Sequence, residues 1–374
     1  MAANLSDWPV DERAAETVIV GAGPAGLAAA ACLRRLGRTS VMFEQGPTLG
    51  SSWRRHYERL HLHTDSRHSC LPYLPFPRGT PRYPSRNQVI AYLEAYARHF
   101  ELRPQVGETV RTVRRTASGW STSTTAGAYR SRNVIVASGY NAIPNLPEWP
   151  GQERFRGRIQ HSRDYRNGNA FKGQRVLVVG FGNSGGEIAI DLQDYGAEVS
   201  MAVRSPVNIV PRDILGIPIT AVSILLSHLP LSVSDALSGP ISRIAIGDLR
   251  KLGLKKLQMG PISQIRTRGR IPLIDIGTLK LIRDGKIRIL GAVQSLSEDA
   301  VTFEDGSVHP FDAIILATGY RPGLERFLAA GTDMHTPGLH LCGFKVTPTG
   351  MFREIGFEAR RIADEIAQAH ARRA

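Results

Sequence analysis

Apolar and polar positions along the chain fall into a pattern that occurs twice. Residues 16–20 form a short β-branched run ending in Gly21-Ala22-Gly23-Pro24-Ala25-Gly26, and an Ala/Leu-rich stretch then continues to Leu36. A second apolar run, residues 39–43, follows, so the segment reads as strand, helix, strand. The order returns at residues 175–179, with Gly180-Phe181-Gly182-Asn183-Ser184-Gly185, a helix to Tyr195 and a strand over residues 198–203. A unit repeated about 160 residues downstream predicts an α/β chain with two Rossmann-like dinucleotide-binding domains.

The remaining pattern repeats as well. Residues 71–84 are dense in proline and predict an extended loop, and residues 88–100 predict a helix. Short strands are expected over 109–113, 120–124 and 133–136, leading into Ala137-Ser138-Gly139-Tyr140. In the second half, 287–290, 300–303 and 313–316 lead in the same way into Ala317-Thr318-Gly319-Tyr320. A last helix over 352–370 sets Ile355, Ile362 and Ile366 along one face, to be packed against the first domain. The most apolar stretch, 214–231, is broken by Pro218, His228 and Pro230. It is too short to span a bilayer and reads as a buried or site-covering segment.

Composition narrows the class. With 374 residues, 42% hydrophobic and 21% charged, the chain is an ordinary globular protein large enough for two domains. A net charge of +14 raises the question of nucleic acid, but the basic residues are dispersed rather than striped with aromatics. An Arg-rich solvated surface, or a positive field drawing in a phosphorylated cofactor or a carboxylate, accounts for it. Cys32, Cys70 and Cys342 form no C-x-x-C pair, which speaks against a dithiol centre and for a reducing cytoplasm. Residues 1–10 lack the apolar run of a secretory signal. His56, His61, His63 and His68 cluster without the spacing of a metal site, so no metal is expected and the loop reads as solvated or cofactor-contacting.

Each glycine turn follows a strand and opens a helix, the context in which G-x-G-x-x-G carries information. The first glycine permits the turn, the second lets backbone approach a pyrophosphate, and the third lets helix and strand pack. Gly21/Gly23/Gly26 and Gly180/Gly182/Gly185 both match. Glu44, closing the second strand of the first unit, can accept from a ribose diol. Arg204 stands at the equivalent point of the second unit, where it can pair with a 2′-phosphate and so favour NADPH over NADH. An arginine at a strand end is also an ordinary surface residue.

Just ahead of the second turn stands Phe155-x-Gly157-x-x-x-His161-x-x-x-Tyr165-Arg166. This resembles the fingerprint of the class B flavin monooxygenases, with Tyr165 where the Baeyer-Villiger members have tryptophan. Residues 53–62, 71–77 and 92–96, Pro211-Arg-Asp-Ile-Leu-Gly216, residues 273–278 and 315–320 extend the likeness to the YUCCA-type members over 17–366. The asparagine that N-oxygenating relatives carry near the flavin has no counterpart in Leu62-His63-Thr64-Asp65-Ser66. The fingerprint is expected at the join of the two domains, where His161 couples them rather than acting as a base.

The resemblance implies an FAD domain from residues 1–168 and 295–374, with an NADPH domain, 169–294, inserted. It implies FAD contacts from the first turn and Glu44, with Gln45, Ser52, Trp53, His63, Val110, Ser138 and Gly139. NADPH contacts are implied from the second turn and Arg204, with Ser205, Thr318 and Gly319. It further implies that NADPH reduces FAD, that oxygen adds at flavin C4a, and that this C4a-peroxyflavin acts on a small molecule. No side chain is assigned as catalytic, because the flavin carries the chemistry. The substrate implied is indole-3-pyruvate, oxidatively decarboxylated to indole-3-acetate. Oxygenation of an amine or sulfide, and a non-oxygenating NADPH-sensing flavoprotein, are the alternatives; the oligomeric state is not readable.

Overall fold

The computed structural model describes residues 13–231, 233–236 and 246–372; the segment weighed as a signal, residues 1–10, lies outside them. Two parallel-centred sheets organise the chain. In the first, Arg13–Val20 lies between Ser40–Glu44 and Ala128–Val136 and is parallel to both. Gln105–Val106 extends one edge. Gly119–Thr124 and Val110–Thr116 continue the other side antiparallel, and Leu339–Leu341 also pairs with Ala128–Val136. In the second sheet, the order is Ile287–Leu290, Glu198–Ala202, Arg175–Val179, Ala313–Leu316 and Arg158–His161, all parallel.

Sheet membership departs from the expected divisions at 168/169 and 294/295. Arg158–His161, placed with the first domain, forms an edge of the second sheet, and Ala313–Leu316, placed there too, lies inside it, between that edge strand and Arg175–Val179. The antiparallel strands Val293–Leu296, Ala300–Phe303 and Val308–Pro310 share a core with that sheet through Val301, Phe303, Leu177 and Leu316. The physical reason is that a parallel sheet needs a strand on each side of its central one. Ala313–Leu316 is to Arg175–Val179 what Ala128–Val136 is to Arg13–Val20.

Local signals set the helix ends. The helix expected from residue 88 begins at Arg86, because Ser85 Oγ accepts from Gln88 N at 3.4 Å while Gln88 Oε1 accepts from Ser85 N at 2.9 Å. This capping box satisfies two otherwise orphaned donors. The proline-rich loop is held by phenols on that helix: Tyr92 Oη accepts from Leu71 N and donates to Leu74 O, and Tyr96 Oη donates to Pro72 O. The last helix, Met351–Ala371, buries Ile355, Ala359, Ile362 and Ile366 in the core that contains the first turn helix, Pro24–Arg35. No helix among the described residues is long and apolar enough to cross a membrane.

Candidate functional site

The two glycine turns sit at the C-terminal ends of the central strands, where neighbouring chains leave in opposite directions and open a crevice. Gly21 has φ +103° and Gly180 φ +116°, a region in which other residues are strained. A Cβ on Gly21 would lie 2.5 Å from Ala137 O, and one on Gly180 2.4 Å from Ala317 O. The Ala-Ser-Gly-Tyr and Ala-Thr-Gly-Tyr segments are therefore the floors on which the turns rest. A Cβ on Gly26 would lie 1.9 Å from Gly21 O, and one on Gly185 2.4 Å from Gly180 O, so the third glycines permit the helix to close on its strand. Nothing lies within 4 Å of a Cβ on Gly23 or Gly182. At these second positions the free space faces outward, as a ligand approaching the backbone requires.

A cavity of about 1000 Å³ opens in front of the first turn. Gly21, Gly23, Pro24 and Ala25 line it, with Glu44 and Gln45 from the next strand end. Ser52 and Trp53 line it from the short helix Ser51–Arg54, His63 from the loop beyond, Val110 from its strand, and Ser138 and Gly139 from the floor. Ala22 and Gly26 stand behind the turn, outside the lining. Glu44 Oε2 accepts from Ala22 N at 3.1 Å and Oε1 from Gly46 N at 2.8 Å, which fixes the carboxylate while leaving acceptor capacity on both oxygens. The helix Pro24–Arg35 has no side-chain cap on its first N–H groups. Uncapped N–H groups, an open Gly23 and a fixed carboxylate fit the pyrophosphate and ribose of an adenine dinucleotide.

The second set divides. Asn183 and Ser184 reach the same cavity, and Asn183 Oδ1 also accepts from Ile274 N at 2.8 Å. Gly180, Phe181, Gly182, Gly185, Arg204, Ser205, Thr318 and Gly319 lie outside its lining, around the second turn. Arg204 and Ser205 are exposed just past Glu198–Ala202, which leaves Arg204 free to meet an anion from solvent. Thr318 Oγ1 donates to Asn145 O at 2.5 Å, tying the second floor to the first fold.

The fingerprint residues lie at the join. Arg163 N donates to His161 Nδ1 at 3.1 Å, so the proton is on Nε2, which donates to Gly319 O at 3.2 Å. Burial holds His161 below the usual histidine range. Tyr165 Oη donates to Asp191 Oδ2 at 2.6 Å, and burial raises the Asp191 carboxyl. Arg166 donates to Arg55 O, and its own carbonyl accepts from Glu58 N at 2.8 Å. Phe155 joins the second-sheet core, and a Cβ on Gly157 would meet the Phe155 ring. The histidine loop is only partly solvated, contrary to one of its two expected readings. His56, His61 and His63 all line the cavity, His61 as an exposed residue, and His68 pairs with Asp65 at 2.8 Å. No cluster that could hold a metal occurs among the described residues.

The opposite wall comes from the apolar segment expected to cover the site, although sequence reasoning did not name its inward-facing residues. Ile214, Ile219, Val222 and Leu226 face the cavity from the apolar segment, with Ile262 and Ile265 beside them. Tyr57 is buried, and burial together with the Glu187 charge pushes its phenol well above the ordinary value. Glu187 and Asp191 are both buried, one turn apart on Asn183–Asp194. Two acids at that spacing in an otherwise apolar helix face were the available signal.

Comparison with known proteins places residues 18–213 within a family model described as pyridine nucleotide-disulphide oxidoreductase. The three cysteines are free, so the likeness is of fold and not of a dithiol pair. The chain is 41% identical over 324 residues to indole-3-pyruvate monooxygenase YUCCA1 of Oryza sativa subsp. japonica, covering 85% of this chain and 80% of that protein. It is 40% identical to indole-3-pyruvate monooxygenase YUCCA6 of Arabidopsis thaliana over 83% and 77% of the two. Among solved structures, the flavin-containing monooxygenase from Stenotrophomonas maltophilia matches at TM-score 0.74 and 22% identity, over 96% of this chain and 99% of that one. Cyclohexanone monooxygenase from Rhodococcus sp. Phi1 bound to NADP⁺ matches at 0.73 and 19%, over 96% and 85%; both likenesses concern the fold.

Proposed function

The chain belongs to the flavin-dependent monooxygenase family of the YUCCA type, an enzyme using FAD, NADPH and O₂, and on that premise we propose that it oxidatively decarboxylates aryl 2-oxo acids, indole-3-pyruvate foremost. The observation that carries the reading is the lining of the large cavity. One wall is the apolar set Ile214, Ile219, Val222 and Leu226, and arginines outnumber acids on the rest: Arg55, Arg111, Arg163 and Arg326 against Glu44 and Glu108. Such a space accepts an aromatic ring at one side and a carboxylate at the other.

FAD belongs to the cavity at Gly21–Gly26, with Gly23 and the Pro24–Arg35 helix end at the pyrophosphate and Glu44 at the ribose. NADPH belongs to the second turn, with Gly182 at its pyrophosphate and Arg204 at the 2′-phosphate. The domains then follow the sheets, the nucleotide fold running from Arg158 to Leu316. When bound and reduced by NADPH, FAD supplies the electron pair that activates oxygen. The chain's own residues close the site. The apolar wall excludes water, the arginines orient the acid, and Asn183 and Ser184 bring the nucleotide helix against the first cofactor. The balance is 2-oxo acid, O₂, NADPH and a proton giving the shortened acid, CO₂, water and NADP⁺.

The test compares indole-3-pyruvate and phenylpyruvate with trimethylamine and a thioether under NADPH and air, with products read by mass spectrometry. Indole-3-acetate with CO₂ matching NADPH consumed is expected. N-oxide or S-oxide without any decarboxylated acid overturns the reading.

A further inference from the structure

The apolar segment that walls the large cavity carries two hydroxyls. On its helix Ile219–Leu226 the cavity is lined by Ile219, Thr220, Val222, Ser223 and Leu226, one helical face on which Thr220 and Ser223 are neighbours. Thr220 is only 2% exposed, and Ser223 is half-buried. Ser227, at the end of the same helix, turns its hydroxyl back onto Ile224 O at 2.7 Å. Those of Thr220 and Ser223 have no hydrogen-bond partner among the described residues. The unpartnered hydroxyls sealed from water belong to Thr17, Thr116, Thr122, Ser131, Ser138 and Thr278, so the Thr220 and Ser223 oxygens keep a surface, and the space they share is the cavity.

A polar group buried without a partner is costly, and the large majority of buried side-chain oxygens have one. A ring that is hydrocarbon throughout would dry these two oxygens on docking and leave them unpaired, whereas a ring bearing an N–H gives them a donor. The anionic end of an oxo acid is not that partner. Residues 214–226 contain no charged residue, and Ile262, Ile265 and Ile271 continue the apolar wall, while the arginines of the lining come from other segments. The Thr220 methyl faces the first fold, 3.9 Å from where a Cβ on Gly350 would stand, which leaves the hydroxyl to a ligand.

We propose that Thr220, with Ser223 beside it, is a specificity-determining acceptor for a ring N–H at the aryl end of the substrate, and that this pair makes an indole preferred to a phenyl ring. The cavity arginines hold the acid end, and the ring lies along the helix with its N–H donating to a hydroxyl oxygen. Such a site discriminates strongly, because an analogue lacking the N–H leaves its polar groups unpaired. The inference rests on the oxo-acid reading above and adds which atoms choose among oxo acids.

The test uses the flavin-loaded enzyme and the variants Thr220→Val, Thr220→Ser and the double Thr220→Val/Ser223→Ala, with NADPH and air. Three oxo acids are compared: indole-3-pyruvate, phenylpyruvate and the benzothiophene analogue of indole-3-pyruvate, in which sulfur replaces the N–H at nearly the same shape. In the wild type, kcat/KM for the indole should exceed that for the benzothiophene about tenfold or more. The double variant should lose that ratio through a higher KM for the indole alone, with kcat kept. Thr220→Val should take most of the loss, and Thr220→Ser, which keeps a hydroxyl, should retain the ratio. Equal kcat/KM for indole and benzothiophene in the wild type overturns the proposal. So does a ratio that survives in the double variant, or a loss shared by all three acids, which marks a packing role. Should the variants not fold, the wild-type comparison decides alone. No decarboxylated acid from any of the three removes the oxo-acid reading and this inference with it, whereas decarboxylation without preference for the N–H removes the inference only.

Discussion

At the scale of single residues, position relative to the glycine turns decides what each side chain can do. Glu44 was legible because it closes a strand at a fixed distance from Gly21, and the structure fixes its carboxylate on Ala22 N and Gly46 N. Arg204 occupies the matching point, exposed and able to receive a phosphate. Arg204→Asp is expected to raise the apparent NADPH constant about tenfold or more while sparing NADH, since one charge-assisted contact is worth about 1.5–3 kcal/mol. Steady-state kinetics with both nucleotides check this, and an unchanged preference makes Arg204 a surface residue only. His56 was not legible as a partly buried group, because enclosure depends on chain segments distant in sequence. Burial, then the charges of Arg166, Arg55 and Arg86, push it from 6.5 to about 4. The native ring resists its proton, so the stability it contributes is complete above about pH 6.5 and is lost as pH falls toward 4, about 3 kcal/mol in all. Thermal melts of wild type and His56→Gln should converge in that window, the wild type losing more.

At the scale of elements, the strand–turn–helix units were the most legible part, because apolar runs, glycine spacing and helix composition all agree there. The expected strand at 175–179 and its helix occur as Arg175–Val179 and Asn183–Asp194. Boundaries shifted where pairing or capping, not apolar pattern, sets the end: the strand expected from 133 begins at Ala128 through its pairing with Gly119–Thr124. The apolar stretch 214–231 was read as site-covering, and its helix Ile219–Leu226 does line the cavity, but which residues face inward could not be read from a uniformly apolar run. The two turn helices allow a paired prediction. A Cβ on Gly26 or Gly185 would collide with the backbone carbonyl of Gly21 or Gly180. Gly26→Ala should therefore purify with little flavin. Gly185→Ala should keep its flavin and lose reduction by NADPH, read from the bleaching of the visible band under anaerobic conditions. The reverse pattern exchanges the cofactors between the folds.

At the scale of the whole molecule, the two folds are held by contacts that sequence reasoning anticipated only as a place. Arg59 to Asp194 at 2.6 Å and Glu58 N to Arg166 O at 2.8 Å cross between the folds, while Tyr165 to Asp191 and His161 to Gly319 brace the second fold from within. Their partners could not be named from one dimension, because Asp191 and Gly319 become neighbours of the fingerprint only when the second sheet takes strands from both sides of it. The charge of +14 acts at the same scale. Surface arginines far from the cavity add to a field that draws anions toward it, and the field's reach is set by salt: about 30 Å at 0.01 M and about 8 Å at 0.15 M. With NADPH saturating, kcat/KM for phenylpyruvate should fall several-fold between those ionic strengths. A neutral thioether, or any turnover of it, should show no such slope. Because the field speeds encounter, the loss should appear in kcat/KM with kcat unchanged. A flat profile for the oxo acid would mean that the cavity arginines act only at contact and that the remaining positive charge serves solubility.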